Sequence, residues 1–261
     1  MIVKKGALGG TRLYHGSYAV RALHAFSRLH REFLKGKKYD TDTDLFTDSL
    51  VQWMKAQRAA STRLARRLQS DLEKFNVRVV IGSGTMVDEH RIRVTNEDGE
   101  QEDIEGEYII LATGARPDYV SYQNSRILNS DEFLDRLNPP AHLFIVGGGY
   151  VGCEFAAIYR GFGCQVTLAE QSDRLLPTWD ESVGSYLAQR LTEDGVELKL
   201  GKHIPLEDMP RRKGWPIIVE AGGAEIAPDL LLVATGRRPN IESLGLAGLG
   251  IITTQFSFPL I

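Results

Sequence analysis

The first apolar signal is short: Met1 to Lys5 reads as a strand that stops at Gly6. After Gly9-Gly10 the period changes, and Leu23, Phe26, Leu29 and Phe33 recur at helical spacing, predicting a helix over Ser17 to Leu34. A polar loop, Lys35 to Asp44, separates it from a second, long helix that reaches about Phe75 and carries the apolar stripe Leu64, Leu68, Leu72 and Phe75. From Val77 the pattern is that of strands: Val77 to Ile81, Arg91 to Thr95 and Glu107 to Ala112. Gly82-Ser83-Gly84 and Asn96-Glu97-Asp98-Gly99 sit between them as turns, and Asn138-Pro139-Pro140 reads as a linker. Leu143 to Val146 is then a continuous apolar run, as a strand buried on both faces requires. A helix follows to Phe162, with Phe155, Ala156 and Tyr159 on one side, and Gly163 stops it. Gln165 to Ala169 is the next strand and ends in Glu170. Alternation of this kind predicts an α/β fold.

Composition narrows the class without changing that picture. With 43% hydrophobic and 25% charged residues among 261, collagen, wholesale disorder and a disulfide scaffold are excluded. No run approaches the ~18 apolar residues of a membrane helix, and the start lacks the long apolar region of a signal peptide. A cytoplasmic protein without membrane partners is expected. Lys55, Arg58, Arg63, Arg66 and Arg67 mark one face of the second helix, but the whole is acidic, at −3, and no aromatics are interleaved. That face is read as solvated, with no nucleic-acid partner. Cys153 and Cys164 have neither CxxC nor metal-ligand spacing. His24 and His30 could share a helix, but no carboxylate or cysteine cluster accompanies them, so no metal site is expected.

The chemistry concentrates where the buried strand meets Gly147-Gly148-Gly149-Tyr150-Val151-Gly152. A glycine-rich turn between a strand and a helix, with an acidic residue ending the next strand, is the dinucleotide-binding arrangement. Gly147 allows the tight turn, Gly149 lets backbone approach a pyrophosphate, and Gly152 lets helix pack on strand. The free N–H groups at the start of the helix, over Tyr150 and Val151, hold the anion. Glu170 can accept hydrogen bonds from both ribose hydroxyls, which favours NAD and repels a 2′-phosphate. An internal repeat adds a second signal. Tyr108 to Pro117, which contains Thr113 and Gly114, parallels Leu230 to Pro239, which contains Gly236; each is an apolar strand ending in Ala-Thr-Gly-x-Arg-Pro. Two related nucleotide-binding halves are implied.

On these motifs the chain resembles the FAD-dependent pyridine nucleotide–disulfide oxidoreductases. The resemblance runs from about Val3 to Gly250, on residues 147 to 156, on Asp173-Arg174-Leu175-Leu176-Pro177 with Asp180, and on Ala-Thr-Gly-Arg-Arg-Pro-Asn at 234 to 240. Met86 to His90, Arg126-Ile127, Ser130-Asp131 and Gly152-Cys153-Glu154 are most similar to the soluble transhydrogenases within that family. The resemblance implies a Rossmann-type NAD-binding domain (140–240) inserted in an incomplete FAD-binding domain (1–139, resuming at 241–261), each with a small β-meander. It implies hydride transfer between the nicotinamide nucleotides NAD(H) and NADP(H) through FAD, with Gly147, Gly149, Tyr150, Val151, Gly152, Glu170 and Gly236 on NAD and Gly10, Thr11, Thr113 and Gly114 on FAD. A dihydrolipoamide dehydrogenase-like protein and a non-catalytic NAD-binding remnant are the alternatives.

The departures matter as much. The family's two redox cysteine positions are occupied by Arg12 and Ser17, so a dithiol relay is not expected. Arg21 stands at the lysine near the flavin, and Glu154 at that lysine's glutamate partner, so an Arg21–Glu154 salt bridge is expected. The family places its own strand, glycine turn and helix ahead of Gly9-Gly10-Thr11, where this chain has eight residues. Its flavin-ribitol Gly-Asp and its dimerisation domain, the basis of the family homodimer, are not matched over 251–261. One whole NAD unit and part of a FAD unit are the expectation.

Overall fold

A computed structural model describes residues 1–35, 43–118, 124–136, 138–209, 216–223 and 225–253. In chain order the elements are β1 (Ile2–Lys4), α1 (Gly10–Tyr14), α2 (Ser17–Lys35), α3 (Thr43–Lys74), β2 (Val79–Ile81), β3 (Ser83–Asp88), β4 (Arg91–Thr95), β5 (Gln101–Glu105), β6 (Ala115–Pro117) and β7 (Ile127–Asn129). They continue with α4 (Ser130–Leu134), β8 (His142–Val146), α5 (Tyr150–Gly161), β9 (Gln165–Glu170), α6 (Glu181–Glu193), β10 (Glu197–Leu200), β11 (Val219–Glu220), β12 (Glu225–Ile226), β13 (Leu230–Val233) and β14 (Arg237–Pro239). Most of the expected 35–44 loop and the last residues, 254–261, lie outside the described set. The fold is the expected α/β type. The chain divides into two compact units, one of Met1–Tyr14, Arg58–Arg116 and Arg237–Ile261, the other of His15–Gln57 and Pro117–Gly236. The boundary read from sequence at 139/140 falls inside the second unit.

The second unit is built on a five-stranded sheet in the order β10-β9-β8-β13-β7, with every pair parallel. β8 is central and β13 lies against it, with Leu230 opposite Leu143 and Val233 opposite Val146. Leu143, Phe144, Ile145 and Leu168 are completely buried, as strands covered on both faces must be. α5 lies on this sheet through Phe155, Ala156, Ile158 and Tyr159, and Gly163, at φ +86°, follows its end in the left-handed region. α2 packs on α5 through Ala19 and Leu23, while Phe26 meets Trp53 and Phe162 at ring-centroid distances of 5.3 and 6.1 Å.

The expected α2 stripe is corrected at one position. Leu29 is 60% exposed, and the buried residue of that turn is Ser27. The Ser27 hydroxyl donates to the Ile158 carbonyl at 2.7 Å, and a Cβ at Gly161 would stand 2.0 Å from that hydroxyl oxygen. Two helix backbones therefore approach closely through a Ser–Gly contact, which leaves the larger Leu29 on the open side.

In the first unit β1 pairs in parallel with β2, Ile2 opposite Val79, and β3-β4-β5 form the antiparallel meander. β6 pairs with β14, where Arg116 chelates Glu242. Two expectations fail here. Residues 107–112 form no strand, and Tyr108 and Ile110 are 84% and 89% exposed. The repeat partner Leu230–Val233 is a strand because β8 and β7 flank it. No strand flanks 107–112 among the described residues, and an extended segment without a ladder partner gains nothing from its apolar side chains. Likewise Leu64, Leu68 and Phe75 of the α3 stripe are exposed, whereas Leu50, Met54 and Ser61 are buried.

Candidate functional site

The second unit assembles its site at the C-terminal ends of β8, β9 and β13, where open α/β sheets bind ligands. The Gly147 N–H donates to the Ala169 carbonyl at 2.8 Å, and its φ of +111° takes the chain into the tight turn. A Cβ there would lie 2.5 Å from the Ala234 carbonyl oxygen and 3.1 Å from the Thr235 nitrogen, so this turn and the one containing Gly236 abut. A Cβ at Gly152 would stand 1.9 Å from the Gly147 carbonyl oxygen. Gly149 differs: its φ is an ordinary −70°, and a Cβ there would meet nothing within 4 Å. The missing side chain leaves room in front of the helix. Gly149 also begins α5 without a side-chain cap, which leaves first-turn amides for a ligand or water.

Glu170 ends β9 beside this turn and is only 7% exposed. Its Oε2 accepts from the Gly148 N–H at 2.6 Å and its Oε1 from the Ser172 N–H at 2.8 Å. Tyr150, at the start of α5, is 58% exposed, and Val151 is half-buried.

A cavity of about 710 Å³ opens on the α2 side of α5, lined by Arg21, His24 and Arg28 from α2, Tyr150 and Glu154 from α5, and Trp179. Arg21 and Glu154 are thus brought to one cavity, but no ion pair joins them. Glu154 is exposed overall, yet what burial it has pushes its carboxyl above the ordinary range; His24 first and Arg21 second oppose that rise. His24 was missed as a partner of Glu154, although it follows Arg21 by three residues and so shares its helix face. A raised carboxyl means that the folded protein holds this proton more tightly than the unfolded chain. The group therefore carries no cost at low pH; stability falls as the pH rises from its unfolded toward its folded value, and the full cost is present above that. Replacing His24 with Ala is expected to raise the Glu154 carboxyl further, read from its carboxyl carbon shift in an NMR titration; an unmoved midpoint would sever the two residues.

The remaining expected residues fall elsewhere. Arg12 lies in α1 with Gly10 and Thr11, and Ser17 begins α2. Thr113 and Gly114 precede β6, and their carbonyls accept from the Asn240 side chain and backbone at 3.0 and 2.9 Å. Cys153 and Cys164 are free and buried, and burial pushes both thiols up to about 12. Neither offers a thiolate near neutral pH. Among the described residues no cluster could hold a metal ion, and no helix is long and apolar enough to cross a membrane.

Comparison with known proteins agrees with this fold. The family model for pyridine nucleotide-disulphide oxidoreductases matches residues 10–255. A dihydrolipoyl dehydrogenase of Bacillus subtilis is 29% identical over 268 residues, covering 100% of this chain and 57% of the relative. A soluble pyridine nucleotide transhydrogenase of Photorhabdus laumondii is 29% identical over 258 residues, covering 96% and 54%. Among solved structures, the Cu(II) complex of an HOCl-induced flavoprotein disulfide reductase from Escherichia coli superposes with a TM-score of 0.82 at 25% identity, over 99% of this chain and 56% of that one. The chain thus spans about half the length of the relatives it matches.

Proposed function

The chain belongs to the pyridine nucleotide-disulphide oxidoreductase family, and from that premise we propose that its second unit binds a nicotinamide nucleotide and that the protein acts in hydride transfer between NAD(H) and NADP(H). The observation that carries the binding reading is the open space at Gly149, in front of an uncapped helix and beside the Glu170 carboxylate. An anionic diphosphate fits there because the helix presents amide donors and the positive end of its dipole. Tyr150 and Val151 flank the diphosphate, and Gly236, at φ +149°, leaves the facing turn without a side chain. Arg21 and Glu154 orient the nicotinamide end from the cavity.

The choice of hydride transfer over a dithiol relay rests on the thiols. Arg12 and Ser17 hold the two redox positions, and both cysteines are buried, which holds their thiols protonated. FAD, were it bound, would supply a ring able to accept and return a hydride. Gly10, Thr11, Thr113 and Gly114 are the residues assigned to it, all in the first unit. That unit shows no Gly-x-Gly-x-x-Gly turn among its described residues, so no step here is routed through the flavin. A second reading, nucleotide binding without redox chemistry, is favoured by that same feature. The dihydrolipoyl dehydrogenase reading is disfavoured by Arg12 and Ser17. The proposal includes a cytoplasmic location, where buried thiols stay reduced, and the family's homodimer.

The test is to purify the chain, record its colour and titrate it with NADH. A yellow protein that reduces an NAD analogue with NADPH supports the transhydrogenase reading. A colourless protein that binds NADH supports the second. A protein that binds no nucleotide overturns both.

A further inference from the structure

Glu170 is aimed first at the protein's own backbone. Its two oxygens bridge the Gly148 N–H, in the glycine turn, and the Ser172 N–H, in the connection from β9 to α6. The same two segments meet again through the Leu176 N–H, which donates to the Gly148 carbonyl at 2.9 Å; the Cys153 thiol of α5 donates to that carbonyl at 3.4 Å. The connection is tied in turn to the end of β10, where Gly201 and Lys202 donate to the Ser172 and Glu170 carbonyls at 2.8 and 2.9 Å. A Cβ at Gly148 would stand 2.8 Å from Leu175 Cδ2 and 2.9 Å from Glu170 Cβ, so the second glycine of the turn is required by the side chains packed over it.

We infer that Glu170 is a positioning residue for the glycine turn: it fixes the amides that receive the diphosphate, whatever sugar the nucleotide carries. A carboxylate has about four acceptor sites. One on each oxygen is committed to backbone, which leaves one on each for a ribose hydroxyl. The turn is thereby shaped before a nucleotide arrives, and the carboxylate's charge meets two amide donors in a nearly dry place. A glutamine cannot replace it, because its amide nitrogen would face one of those N–H donors. This inference rests on the nucleotide-binding reading above and deepens it. It also changes the expectation for ribose selectivity: a neutral residue at 170 weakens NADH and NADPH alike.

The experiment measures ADP and 2′,3′-dideoxy-ADP, which lacks both hydroxyls, against wild type and E170Q by calorimetry. Thermal unfolding monitors the fold. Both ligands are expected to bind E170Q about tenfold more weakly or worse, the loss of a charge-assisted hydrogen bond. An unchanged dideoxy-ADP affinity beside a weakened ADP affinity would show that Glu170 touches only the ribose, and would overturn the inference alone. Wild type that binds neither ligand overturns it together with the nucleotide reading. If E170Q does not fold, E170D takes its place, since the shorter side chain keeps the charge but loses the reach to Gly148. Hydrogen exchange on the ligand-free wild type is a further check: slow Gly148 and Ser172 amides are expected, and free exchange at both overturns the inference.

Discussion

Replacing Gly152 with Val is expected to abolish nucleotide binding. Its Cβ would stand 1.9 Å from the Gly147 carbonyl oxygen and 3.3 Å from Ile145 Cγ2. Gly147 cannot retreat, because its own Cβ position lies 2.5 Å from the Ala234 carbonyl and its N–H is bonded to Ala169. α5 must therefore lift off β8, opening the contact of Phe155 and Ala156 with Leu143 and Ile145. Overpacking of this kind costs about 1–3 kcal/mol of stability. The first-turn amides move with the helix, and losing two charge-assisted hydrogen bonds weakens binding by roughly 100-fold or more. NADH fluorescence titration and thermal unfolding, run together, check both effects. Gly149→Ala is the contrast. With nothing within 4 Å of its Cβ, it should leave the unfolding temperature in place and still weaken NADH, because the methyl takes the ligand's room. Equal stability losses for the two variants would show that the space at Gly149 is not a ligand's.

The parts of this site that were legible in the sequence are those written in one short stretch. A buried strand, a glycine turn, a helix and a second strand ending in Glu170 occupy residues 142–170, and each is set by local pattern: β8, α5 and β9 end within a residue or two of their expected limits. Long-range packing was not legible. The apolar halves of the two repeated segments, 108–112 and 230–233, differ in structure because the second has strand neighbours and the first, among the described residues, has none. Neighbours are not encoded in the segment itself. The periodicity of α2 pointed Leu29 inward, whereas Ser27 faces Gly161 and brings the two helices close, which exposes Leu29. A small polar residue opposite a glycine carries no hydropathy signal. Arg21 and Glu154 reach one cavity without the salt bridge that the motif implies, and His24 dominates the opposition to burial at Glu154. The carboxylate of Glu170 was legible as a ribose acceptor, and its bond from the Gly148 N–H was not, because that partner lies in a turn 22 residues away.

Phe133→Ala carries the largest expected loss of stability. The ring is fully buried and meets Phe155 at 5.5 Å and 86° and Tyr159 at 5.0 Å and 74°, edge to face in both cases. Phe155 and Tyr159 are themselves stacked at 6.1 Å, so Phe133 closes a cluster of three rings on the back of α5. Its position is set by a capping box: the Asn129 side chain accepts from the Asp131 and Glu132 amides, and the Glu132 carboxylate accepts from the Asn129 N–H, each at 3.0 Å. Truncation leaves a ring-sized void in a core that also holds Leu143 and Leu232, at a cost of about 3–5 kcal/mol. Asn129→Ala removes only the cap and should cost about 1 kcal/mol. Urea unfolding of both variants separates the two effects. Because α5 carries the glycine turn at its other end, Phe133→Ala is expected to keep its NADH affinity while the protein is folded and to lose it with the fold. A loss below about 1 kcal/mol would mean that the void refills, and that α4 does not anchor the helix on which the nucleotide site depends.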